Sequence, residues 1–192
     1  MDVQQLRIRV LARASEFDQE ALIPIFHRWI RESRLGDPLL IDVADYRHVP
    51  DGPGIMIVGD QAHYALDTSG GLIGLSYSRK RDPIGPVRPK LSEAFAAILT
   101  ACDALDREPT VAGQLGFDAG RLELSVMSRL VAGNDEAGFA ALRPSVAEFL
   151  SELYPGSEPT IEQIPGAKRP LALRITVAGE HTPAAVLARV PA

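Results

Sequence analysis

Gln4-Gln5-Leu6-Arg7-Ile8-Arg9-Val10-Leu11-Ala12 sets apolar Leu6, Ile8 and Val10 against Arg7 and Arg9 in strict alternation. Side chains of a strand point alternately to opposite faces, so this pattern predicts a strand over about Gln4–Ala12 with one face in a core. A helix is expected next. Ser15 and Asp18 have the spacing of a capping box, and Leu22, Ile25, Phe26, Trp29 and Ile30 form one apolar stripe running to about Ser33. Pro24 falls on the solvent side of that helix, where it predicts a kink. Gly36, Asp37 and Pro38 end it. Leu39–Val43 and Ile55–Val58 then read as strands around a polar loop, Asp45–Gly54. His63–Asp67 and Leu72–Tyr77 read as a hairpin turning on Thr68-Ser69-Gly70-Gly71, where paired glycines supply the positive φ of a tight turn.

The remainder of the chain echoes this strand–helix–strand–strand order. A helix is expected over about Leu91–Arg107, a strand over Leu122–Val131, and a helix capped by Asn134 and interrupted by Pro144. Strands near Thr160–Gln163 and Leu171–Val177 follow. Shifting the sequence by 120 residues aligns Arg9 with Arg129, Pro24 with Pro144, Gly36 with Gly156, Ile41 with Ile161 and Ile55 with Ile175, among twelve identities over the 56 positions from Gln5 to Asp60. Matching prolines, glycines and core positions are what two copies of one backbone would impose.

The expectation is therefore one α+β domain, residues 1–192. It comprises two βαββ(β) units (about 4–68 and 124–190) joined by a hairpin strand, linker and helix (about 69–123). The units should pack as a pseudo-twofold pair, with helices on one face of largely antiparallel sheets. The tail, Pro183–Val190, lies opposite Ala62–Asp67 in this alignment and is expected as a fourth strand.

Composition narrows the function. With 46% hydrophobic and 23% charged residues the chain has the make-up of a globular protein. A net charge of −5 opposes duplex nucleic-acid binding, which needs a cationic surface. No apolar run reaches the roughly 18 residues of a membrane span, and the N-terminus lacks the basic-then-apolar pattern of a signal peptide. A cytoplasmic protein is expected. The single cysteine, Cys102, sits in the stripe Leu91, Phe95, Ile98, Cys102, Leu105, which predicts a buried, unreactive thiol.

Chemistry-bearing residues concentrate in the first copy. Asp42, Asp45, His48, Asp51, Asp60 and His63 stand where the second copy has Glu162, Pro165, Lys168, Leu171, Glu180 and Pro183. Imidazoles and carboxylates together bind divalent metals or move protons. His48, His63, Asp45 and Asp51 are accordingly the candidate catalytic groups, and His48, His63 and Asp60 the candidate ligands for a divalent metal. Against this, the two histidines are fifteen residues apart with no H-x-x-x-H or H-E-x-x-H spacing, and Asp45–Gly54 has the composition of a polar turn.

His63 and Asp67 share a strand face and are expected to pair. His27 reads as solvated, and His181 carries no assigned role. Arg79, Lys80, Arg81, Arg88 and Lys90, interleaved with prolines, read as an extended solvated linker. Gly113, Gly116 and Gly120 do not form a nucleotide fingerprint, and no Walker or G-x-S-x-G motif is present. The favoured expectation is a non-enzymatic domain binding a small molecule or a protein partner, with the Asp45–Gly54 loop at the rim of its site. The alternative is a metal-assisted or acid–base enzyme using the first-copy Asp/His set. Open sheet edges would allow a homodimer under either reading.

Overall fold

A computed structural model describes residues 1–36, 39–49, 52–80, 82–166 and 169–191. Expectations that rest on Asp37, Pro38, Pro50, Asp51, Arg81 and Lys168 lie outside these residues. The elements in chain order are β1 (Asp2–Val3), β2 (Leu6–Ala12), α1 (Leu22–Arg31), β3 (Leu40–Asp45), β4 (Ile55–Gly59), β5 (Ala62–Asp67) and β6 (Gly74–Arg79). Then come β7 (Gly85–Pro86), α2 (Val87–Asp106), β8 (Phe117–Val126), α3 (Glu136–Leu153), β9 (Thr160–Gln163), β10 (Leu171–Thr176) and α4 (Pro183–Leu187).

Eight strands form one antiparallel sheet in the order β3-β4-β5-β6-β2-β8-β10-β9, while β1 and β7 make a separate two-stranded ribbon. The sheet is open, with β3 and β9 as its edges. Its alternation follows the residue types. Leu6, Ile8 and Val10 of β2, Ile55 and Ile57 of β4, Tyr64 and Leu66 of β5, Leu122 and Leu124 of β8 and Leu173 and Ile175 of β10 are buried in one core with the helices. From the helices come Phe26 and Trp29 (α1), Phe95 and Cys102 (α2), Phe149 and Leu150 (α3) and Val186 (α4). One face of the sheet is thus helix-covered, as the sequence predicts for an α+β fold. Each large side chain withdrawn there from water contributes about 1.5–3 kcal/mol at most.

Local chemistry explains where elements begin. Asp18, instead of Ser15, caps the first turn, accepting from the Glu20 amide at 3.0 Å, and a short 3-10 turn over Gln19–Ala21 precedes α1. Pro24 therefore sits in the first turn of α1, where its missing N–H leaves no bond unmade, and no kink is required. Asp135 caps α3 through the Gly138 amide at 2.8 Å. Asn134, expected in that role, instead donates to the Ile164 and Gly166 carbonyls and accepts from Gln163, tying the start of α3 to the β9–β10 connection.

Elsewhere Glu108 is buried and accepts from Trp29 Nε1 at 2.7 Å and from Arg28, fastening α1 to the chain beyond α2. The basic linker is also tied down: Lys80 bonds the Gly59 carbonyl, Lys90 pairs with Asp82, Arg88 with Glu152 and Arg79 with Glu93. Pinning by these pairs and by the β1–β7 ribbon replaces the extended, solvated linker read from sequence.

The 120-residue alignment places α1 opposite α3 and β3 opposite β9, but its other pairs diverge. Arg129 lies past the end of β8, and the tail aligned with β5 is the helix α4, opened by Thr182 accepting from the Ala185 amide with Pro183 in its first turn. Connectivity differs as well. In the second half β10 pairs directly with β8, whereas in the first half the β5–β6 hairpin lies between β4 and β2.

Candidate functional site

The face of the sheet away from the helices is polar by the same alternation. Strand register sets Val58, His63, Ser78, Arg7 and Ser125 side by side in one row across β4, β5, β6, β2 and β8. The next row is Met56, Ala65, Ser76, Arg9, Glu123 and, on β10, Arg174. Three of these face residues are unusually buried for polar groups: Arg9 is 4% exposed, Asp67 2% and Ser76 3%.

Arg9 organises the face. Its guanidinium donates to the carbonyls of Asp67 (3.0 Å), Ser69 (3.1 Å) and Leu72, and to Glu123 Oε2 at 3.1 Å, so one cation satisfies the turn between β5 and β6. Gly74 makes room for it: an added Cβ would lie 2.8 Å from Arg9 Nε and 2.9 Å from the Val10 carbonyl oxygen. Asp67 pairs with Arg7, lies 3.9 Å from Arg9 and accepts from the Ser69 amide at 2.7 Å. Burial alone would raise its pKa, but the two arginines and the Ser69 bonds outweigh it and hold the carboxyl below the ordinary value of 3.8.

Above this platform is a pocket of about 250 Å³, walled by Arg7, Asp67, Ser76, Ser78 and His63 and by the apolar Met56, Ala65 and Met127, with Gly52 and Pro53 at its rim. A second cavity of about 330 Å³, lined by Arg47, Gln19, Gly54 and Gly70, shares Gly52 and Ser69 with it. Gly54 is required there. Its φ is +69°, and a Cβ would meet the Leu66 carbonyl oxygen at 2.1 Å.

The candidates read from sequence divide sharply. His63 lines the pocket, and its Nδ1 is enclosed without a hydrogen-bond partner. Burial, then repulsion from Lys80, lowers its pKa from 6.5 against a weaker opposing contact with the Ile57 backbone, which favours the neutral ring. The expected His63–Asp67 pair does not form. Four strand residues span about 13 Å, and the arginines hold Asp67.

Asp45 lies at the far end of β3, gripped by Arg47 (Nη2 to Oδ2, 2.6 Å), whose side-chain and backbone bonds pull the Asp45 pKa down to about 2. His48 stacks on Tyr46 with ring centroids 6.5 Å apart. Asp60 is exposed at the β4–β5 turn. Register shows the spread: Asp45 pairs with Ile55 and Leu40 with Gly59, so Asp45 and His48 lie beyond one end of β4 while Asp60 and His63 flank the other. Among the described residues, no group of three His, Cys, Asp or Glu side chains is placed to hold one metal ion. Asp51 lies outside those residues.

Alternation in the sequence marks Arg7 and Arg9 only as residues of the strand's exposed face. Two arginines on the polar side of a strand otherwise rich in core residues was the available signal. The chain matches no protein-family model and no curated protein. No helix among the described residues is long and apolar enough to cross a membrane.

Proposed function

We propose that this protein is a non-enzymatic binder of a small molecule carrying one anionic group, held in the open-face pocket between Arg7 and His63. The observation that carries this reading is the pairing of a pre-set platform with unmet hydrogen-bonding capacity above it. Below it Arg9 holds the turn through the Asp67, Ser69 and Leu72 carbonyls and Asp67 is paired with Arg7, while His63 Nδ1 at the pocket wall makes no hydrogen bond. Arg7, which spends one nitrogen on Asp67, keeps N–H groups for a ligand oxyanion. Met56, Ala65 and Met127 suit an apolar body, matching the general make-up of small-ligand sites.

Titration with hexanoate and with phenyl phosphate, followed through the His63 ring and the Met56 and Met127 methyl resonances, tests the proposal. Saturable shifts are expected, weakened at least roughly tenfold in Arg7→Met, the worth of one charge-assisted hydrogen bond. If neither compound moves His63, the reading is wrong. A second reading, acid–base chemistry at the same pocket, draws on His63 standing opposite Ser78 in the β5–β6 pair. Conversion of the bound compound over hours in the same spectra would favour it.

A further inference from the structure

The helix-covered side of the sheet holds a separate cleft of about 340 Å³ between the β5–β6 hairpin and α2. Its origin is visible in the residues. The stripe of α2 above the hairpin is Glu93, Ala96, Ala97 and Thr100, spaced i, i+3, i+4, i+7, and its two alanines leave a gap where the neighbouring stripe, with Phe95, Ile98 and Leu99, fills the core. The floor is Tyr64 and Tyr77, direct partners across the hairpin, with rings 5.2 Å apart edge to face.

Hydrogen-bonding capacity inside the cleft is lopsided. Glu93 is occupied by Arg79 and by the Tyr77 hydroxyl at 3.3 Å, and Thr100 donates back to the Ala96 carbonyl at 2.7 Å. Capacity remains at Tyr64 and Arg79. Tyr64 is 2% exposed and its hydroxyl makes no hydrogen bond among the described residues, and Arg79 Nε is enclosed without a partner. Burial, with Tyr77 and Glu93 nearby, raises the Tyr64 pKa, so the hydroxyl keeps its proton. Arg79 and Tyr64 can both donate, so an occupant lying between them supplies acceptors, and the exposed amide of Gln61, also on the lining, can meet either kind of group.

Register sets the two residues diagonally across the hairpin: Arg79 pairs with Ala62, two residues from Tyr64, so they share its helix-facing side about 7–8 Å apart at the start of their side chains. Between them the walls are aromatic and methyl. We propose that this cleft is a second binding site, independent of the open-face pocket, for a small aromatic carboxylate whose carboxyl meets Arg79 and whose far-side polar substituent meets the Tyr64 hydroxyl.

The probes are 4-hydroxybenzoate and benzoate, titrated into the full chain with tyrosine-ring resonances and calorimetry as readouts. Saturable binding of 4-hydroxybenzoate is expected to shift Tyr64 and Tyr77 equally in wild type and in Arg7→Met, whose open-face pocket is disabled, which separates this site from that pocket. Tyr64→Phe should weaken 4-hydroxybenzoate roughly five- to tenfold, the worth of one neutral hydrogen bond, and leave benzoate unchanged. Ala97→Leu, which fills the cleft, should abolish both. The proposal is overturned if neither probe binds the wild type, if Ala97→Leu binds as well as wild type, or if Tyr64→Phe affects both probes alike.

Discussion

Replacing Arg9 by methionine keeps the length and apolar stem of the side chain and removes only its charged fork. The Asp67 and Leu72 carbonyls then lose their arginine donor, the Ser69 carbonyl keeps only the long bond from the Leu72 amide at 3.5 Å, and Glu123 retains Arg174, at 3.1 Å. Breaking a buried charged network from one side costs about 3–5 kcal/mol, because the partners stay desolvated and unpaired. That is a large share of the roughly 5–15 kcal/mol that stabilises a typical domain. With a urea slope of roughly 2 kcal/mol/M, the unfolding midpoint should fall by about 2 M. Arg9→Lys restores the charge without the fork and should recover only part of the loss. Amide exchange should accelerate first at Ser69 and Leu72, which the fork pins. A loss under about 1 kcal/mol in Arg9→Met, with unchanged exchange in that turn, would refute the claim that Arg9 organises this face.

Other expectations follow from the same interactions. Asp67 has a folded pKa below 3.8, so its contribution is complete above that value and is lost as pH falls through the lower folded value. Urea midpoints measured from pH 5 to 2.5 should decline less steeply in Asp67→Asn than in wild type. Glu108→Gln keeps an acceptor for Trp29 and should cost no more than about 1 kcal/mol, because Arg28 is partly exposed. Glu108→Leu strands the indole N–H and should cost about 2–3 kcal/mol, visible in the emission of the only tryptophan. Cys102 is fully buried and its thiol pKa is pushed well up by burial and by Asp106 and Asp103. A thiol reagent should leave it unmodified in the native state, and labelling should begin only as the protein unfolds in urea.

Elements with clean local periodicity were legible. The alternation in β2 and the apolar stripe of α1 each carried their own signal, and Thr160–Gln163 emerged as predicted. The sequence points to a strand at Leu122–Val131, whereas β8 spans Phe117–Val126, because Gly116-Phe117-Asp118-Ala119-Gly120 has the composition of a loop. In fact it runs along the end of β2 through a register shift, while apolar Leu130 is left fully exposed. The tail carried helix signals in Thr182 and Pro183, but the 120-residue alignment pulled it toward a strand. For the site, His63 was legible as a titratable residue in a strand. Its surroundings were not, since Arg9 meets Asp67 across 58 residues and Glu123 across 114. Nothing local to the sequence encodes those encounters. The cleft over Tyr64 was hidden for a related reason: Ala96 and Ala97 read as ordinary helix formers until the hairpin beneath them is known.

The position of β2 bears on how the chain reaches this fold. It is the one strand joining β3–β6 to β8–β10, pairing on one side with β6 and on the other with β8. During synthesis β3–β6 emerge early enough to assemble on it, yet its second edge stays open until the chain has grown through residue 126. That interval leaves a bare strand edge in a half-made sheet, the arrangement most prone to pairing with a neighbouring nascent chain. Arg7 and Arg9, anchored by then to Asp67 and the β5–β6 turn, would leave two charged side chains beside that open edge, the kind of placement that disfavours edge-to-edge pairing.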